Sequence, residues 1–378
     1  MRSSTKLVSL AIALACASAA QAQQVVKIGH VGPVSGPNAH LGKDNENAAR
    51  MAVDELNSKG FTINGQRVTL QLLAEDDASD PKQGTAVAQT LVDAKVNGIV
   101  GHLNSGTSVP ASRIDHNAGL VQVSPATTAT LFTKQKFPGV LRVVANDARL
   151  GGTLGRYAVE TLKVKNIAVI HDRTTYGQGV AAEFSRGAKG PGVRIVDKQF
   201  TAASATDFTA ILTAIRAKKP DLIFFGGMDA VAGPMLKQMR ALGIEARFMG
   251  GDGICTEALG RLAGAAVGEG KVVCAEAGGV KGAQEQKMTD FRARFKQKTG
   301  LEVQLYAPYV YDSVMVMASA MQNAKSADPA KYLPALKKIK YEGVTGTIQF
   351  DPSGDILNGA LTLYTYKDGK RTRMDVIR

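Results

Sequence analysis

The chain contains no tryptophan, and phenylalanine and tyrosine together supply only 6% of its residues. The interleaved basic and aromatic side chains on which nucleic-acid bases stack are therefore missing. A formal net charge of +13 does not restore that reading, because Lys and Arg are dispersed and cluster only near Lys337–Lys340 and Lys367–Arg373. Histidine is scarce as well, with five residues at 30, 40, 102, 116 and 171. None falls in H-E-x-x-H or at paired metal-ligand spacing, so no metal site is expected. His102 and His171 end apolar runs, where a structural histidine is expected.

Motifs for covalent or nucleotide chemistry are missing too. Ser105 lies outside any G-x-S-x-G, so nothing orders it as a nucleophile. The stretch from Gly36 to Lys43 has one residue too many for a P-loop, and Asp44 stands where a magnesium-binding Ser/Thr would be. No G-x-G-x-x-G follows the first strand. Asp76 and Asp77 are adjacent on a strand and point to opposite faces, which argues against an acid pair. These absences exclude most enzyme classes, and no cofactor is expected.

Long apolar runs are lacking. Leu7–Ala15 is too short to span a bilayer. With Arg2 and Lys6 ahead of it and Ala20-Gln21-Ala22 behind, it reads as a signal peptide cleaved after Ala22. A lipoprotein reading at Cys16 is weaker, because Ala13-Leu14-Ala15 makes a poor lipobox. Removing residues 1–22 of the 378 leaves 356 residues with a net charge of +11, enough for two domains in an exported, periplasmic protein. Two cysteines remain, Cys255 and Cys274. They read either as a disulfide, worth about 3 kcal/mol in the chain-entropy model, or as two buried thiols.

Strands and helices alternate along the chain. Strands are predicted at Val25–Val31, Val68–Ala74, Gly98–Leu103, Leu120–Val123, Asn166–His171, Val193–Phe200 and Asp221–Gly226. Helices are predicted at Glu46–Ser58, Pro81–Ala94, Tyr176–Gly187, Phe208–Ala217 and Val231–Leu242. That order implies an α/β fold with mainly parallel sheets covered on both faces. Breaks near Val144–Arg149 and Ala275–Ala283, and the turn at Asp351–Gly354 before a last strand at Leu361–Tyr366, predict three crossings between two lobes with a cleft at the hinge.

The strand ends carry the functional signal. In open α/β sheets, ligands bind beyond the carboxyl ends of the strands. Asn104-Ser105-Gly106 and Ala126-Thr127-Thr128 place hydroxyls and free N–H groups there, suited to a carboxylate. The second half supplies Tyr176, Met228 and Asp252, the acid being suited to an ammonium. Together they match a zwitterion.

At these residues the chain resembles the periplasmic Leu/Ile/Val-binding proteins of ABC transporters, with the type I periplasmic binding fold. The resemblance rests on VGPVSGPNAHLG, DDASDPKQ, GHLNSGTSVPAS, SPATTAT, HDRTTYGQG and FMGGDG and spans nearly the whole chain after residue 22. It implies two lobes, residues 23–145 with 276–354 and 146–275 with 355–378, that close over one amino acid. It implies carboxylate contacts from Ser105, Ala126 and Thr128, a contact from Tyr176, and ammonium recognition by Asp252. Leu41 and Met228 replace aromatic residues of some members and are expected to border the ligand, with Gly106 and Thr127 beside the anchor. Ser79 and Asn104 stand where some members carry a cysteine pair. The expected partner is an inner-membrane ABC permease, and the expected state is a monomer. The alternatives are another small carboxylate or amide as ligand (γ-aminobutyrate, an aromatic acid), a sensor for a membrane receptor, or an exported α/β enzyme.

Overall fold

A computed structural model describes residues 24–377. The signal-peptide reading of residues 1–22 and Cys16 lie outside the described residues. The first sheet holds β1 (Gln24–Gly32), β2 (Thr62–Ile63), β3 (Gln66–Asp76), β4 (Gly98–Val100), β5 (Gln122–Ser124) and β6 (Val140–Arg142) in the order β2-β3-β1-β4-β5-β6. It is parallel except for the β2–β3 hairpin. The second holds β7 (Asn166–His171), β8 (Arg194–Phe200), β9 (Leu222–Gly226), β10 (Arg247–Gly250) and β11 (Val272–Glu276). A short pair, β12 (Tyr341–Glu342) and β13 (Thr347–Ile348), stands apart, and β14 (Leu361–Lys367) and β15 (Lys370–Ile377) complete the second sheet in the order β15-β14-β11-β10-β9-β7-β8. β14 and β15 are antiparallel, and the rest of that sheet is parallel.

Central strands such as β9, LIFFG, are apolar and buried along their length, as expected of a sheet covered on both faces. Helix starts follow local capping chemistry. Asp80 accepts from the Lys82 and Gln83 N–H groups ahead of Pro81, and Thr174 accepts from Gly177.

Three elements differ from the sequence reading. The first helix begins at Ala39 rather than Glu46. Gly42, read as part of a loop, lies in that helix because only a glycine lets it press against Pro33: an added Cβ would be 2.0 Å from the Pro33 carbonyl oxygen. The predicted strand Gly98–Leu103 stops at Val100, so His102 and Leu103 belong to the loop before the next helix. The last strand is β15 rather than β14. Asp368 and Gly369 both take positive φ and turn the chain back into a hairpin, a signal hidden in a run that reads as a basic cluster.

The chain passes between the two sheets at residues 143–146, 277–283 and 350–360. These segments run together: Ala145 N–H donates to the Ala277 carbonyl, and Arg142 N–H to that of Gly354. One buried cluster includes residues of both sheets and of the helices Gln284–Thr299, Ala307–Asn323 and Pro329–Lys337. A second lies under β7, β9, β10 and β11 and contains the bonded Cys255 and Cys274, whose Cα atoms are 5.4 Å apart.

Candidate functional site

Two helix N-termini face each other between the sheets. Ser105 and Gly106 open the helix Ser105–Asn117 after β4, so their N–H groups have no intrahelical partner. Thr175 and Tyr176 open the helix Thr175–Gly187 after β7. A Cβ added to Gly106 would lie 4.0 Å from Thr175 Oγ1, so the two ends are nearly in contact. Both helix dipoles favour an anion in this gap.

The loop after β5 completes the first wall. Ser124 Oγ accepts from Thr127 N–H at 2.9 Å and donates to the His102 carbonyl at 3.0 Å. Arg142, fully buried, donates to the Thr127 and Ala129 carbonyls at 2.8 and 2.9 Å and pairs with Asp355 at 2.6 Å. The anchor loop is thereby tied to the third crossing. Ser105 Oγ accepts from Ala129 N–H at 3.3 Å. Thr127 turns its hydroxyl to Ser108 and acts as a brace. The Thr128 hydroxyl is buried with no partner among the described residues.

From the second wall, Asp252 follows β10 and is fully buried. Tyr306 donates to its Oδ2 at 3.0 Å, and Oδ1 has no partner among the described residues. Tyr176 accepts from Gly253 N–H at 2.9 Å. Asp147, buried with neither carboxylate oxygen paired among the described residues, stands close enough to feel the Asp252 charge. Burial pushes Asp252 up to about 6, against the pull of the Tyr176 and Tyr306 hydroxyls. Burial pushes Asp147 up to about 8, with Asp252 adding to the rise and Thr128 and Arg142 opposing it. Burial and the Asp252 charge hold both tyrosines well above their ordinary range, so they remain neutral donors.

Ser105, Ala126, Tyr176, Met228, Asp252 and Tyr306 line one small void. It shares Asn104, Ser105, Tyr176 and Met228 with a cavity of about 370 Å³ that also touches Asn38, Ser79 and Gly106. The structure thus gathers Ser105, Gly106, Ala126, Tyr176, Met228 and Asp252. Leu41 is not among them: the early helix start buries it completely in the core, and it lines neither space. Asp147 and Tyr306 were missed. Asp147 lies in the break VANDARLGG, and nothing near Tyr306 in the sequence marks it. Among the described residues, no group of three or more His, Cys, Asp or Glu is placed to hold a metal.

Comparison with known proteins agrees with this architecture. Residues 25–371 match the periplasmic binding protein family. An amino acid binding protein of Pseudomonas aeruginosa is 34% identical over 96% of each chain. A leucine-, isoleucine-, valine-, threonine- and alanine-binding protein of the same organism is 32% identical over 95% of this chain and 94% of its own. The branched-chain amino acid transporter substrate-binding protein LivJ of Streptococcus pneumoniae, solved with isoleucine, superposes with a TM-score of 0.84 at 28% identity, covering 94% of this chain and 99% of its own. The chain belongs to the periplasmic binding protein family and has the type I fold of its leucine/isoleucine/valine-binding members.

Proposed function

We propose that this protein captures an aliphatic amino acid, of the branched-chain class, by closing two lobes over it, and delivers it to an ABC permease. The observation that carries this reading is the buried Asp252 carboxylate, whose Oδ1 has no partner among the described residues and which lines the small void with Ser105, Ala126 and Met228. Leaving such a group unpaired costs about 1–3 kcal/mol, so a ligand that satisfies it is favoured. The acid suits an ammonium. The helix ends at Ser105 and Thr175 suit a carboxylate. Met228 and Ala126 supply apolar wall.

The lobes on this reading are residues 23–145 with 276–354 and residues 146–275 with 355–378. The protein acts as a monomer in the periplasm after cleavage behind Ala22, and the closed form is what the permease recognises. The names of the relatives and the isoleucine held by LivJ support the ligand class. No catalytic role is assigned to any residue.

The test is calorimetric titration of wild type and Asp252→Ala with leucine and with 4-methylpentanoate, which lacks the amine. Wild type is expected to bind leucine far more tightly than the amine-free acid, and the variant to lose that preference. Equal leucine affinity in both proteins removes Asp252 from the site.

A further inference from the structure

His40 is one residue from the buried Leu41, in the first turn of the helix Ala39–Ser58 that packs on the first sheet. Asp229 opens the helix Asp229–Ala241 that follows β9 of the second sheet. Across the gap between them, His40 Nε2–H donates to Asp229 Oδ2 at 2.8 Å. Their chain neighbours, Asn38 on one side and Met228 and Ala230 on the other, line the 370 Å³ cavity. We propose that His40 and Asp229 form a proton-dependent latch between the lobes, a positioning pair that holds the closed state without touching the ligand. The proposal rests on the reading that capture proceeds by lobe closure.

The asymmetry of the pair explains why it acts only on closure. Asp229 is fully buried, while the His40 side chain keeps 27% of its surface. The carboxylate stands at a helix N-terminus, where the dipole favours negative charge. Thr256 Oγ1 donates to the same Oδ2 at 2.5 Å, and Oδ1 has no partner among the described residues. His40 is the cationic partner this carboxylate contacts, and parting the lobes breaks the contact.

The surrounding groups decide which form of His40 the closed state prefers. Burial works against the charged imidazole, but the hydrogen bond and charge of Asp229 and the Pro37 carbonyl outweigh it, with Arg261 of the helix Glu257–Ala263 opposing them. The result is a raised pKa. Tyr306 and Tyr366, which also feel Asp229, are neutral. Closure therefore takes up a proton at His40. The latch is at full strength below the ordinary histidine range and is lost as pH rises through the raised value.

The test is calorimetric titration with L-leucine in buffers of different ionisation enthalpy, on wild type, His40→Gln and Asp229→Asn. Asp147 and Asp252 also exchange protons, so the readout is the difference between proteins. Wild type is expected to take up more protons on binding than either variant, and to weaken about fivefold between about pH 6.5 and about pH 8.5. Both variants still bind, without that alkaline loss. Proton uptake and alkaline slope unchanged in both variants overturn the latch.

If no amino acid gives heat, the binding reading fails, and energy transfer between one dye on each lobe then tests the latch without ligand. The dyes are expected to approach as pH falls in wild type and to be indifferent to pH in His40→Gln. Identical pH responses in the two proteins overturn it.

Discussion

Asp252 shows how far single residues could be read. Its place between glycines after a strand, opposite the hydroxyl-rich loop, marks it as a candidate ammonium partner, and it lines the inner void. Its buried setting was not legible, because the hydroxyl that meets it, Tyr306, is distant in sequence. The pKa near 6 has a consequence. An ammonium needs the ionised carboxylate, so ligand affinity should fall as pH drops through about 6, by up to about tenfold per pH unit. Asp252→Asn should abolish this acid limb, which titrations across that range would show. An unchanged acid limb would mean that Asp252 does not pair with the ammonium. Leu41 is the opposite case. It was expected to border the ligand, but the helix begins early and turns the side chain into the core.

At the scale of elements, the α/β alternation was legible because period and punctuation agree in β7, β9 and the helix Thr175–Gly187. Where a glycine served packing instead of a turn, the reading slipped. Gly155 shows the force of such contacts. In the helix Asp147–Glu160, a Cβ added there would lie 2.4 Å from the Phe184 carbonyl oxygen of the helix Thr175–Gly187. Gly155→Ala must push these helices apart and should cost about 1–3 kcal/mol by overpacking, measured by denaturant unfolding. The buried Arg142 links elements by charge. Arg142→Met leaves Asp355 without its cation and frees the Thr127 and Ala129 carbonyls, and should cost about 3–5 kcal/mol. Unfolding should show this together with weakened ligand affinity, since the anchor loop loses its brace. Stability close to wild type would mean that the loop is held by other contacts.

At the scale of the molecule, the three changes of texture in the sequence correspond to three segments passing between the sheets. Their mutual hydrogen bonds were not legible, because they join residues more than a hundred positions apart. The cystine braces the second sheet, closing a loop between residues separated by 19 positions. Replacing both cysteines by serine should cost about 3 kcal/mol, seen as a lower thermal midpoint. With Asp252 acting from the acid side and the His40–Asp229 pair from the alkaline side, affinity should peak near neutrality. The most direct test of amino-acid capture is calorimetric titration of the ligand-free protein with the twenty proteinogenic amino acids. Leucine, isoleucine or valine should bind near the micromolar level, about 8 kcal/mol, one ligand per chain. Heat from none of the twenty would contradict the account.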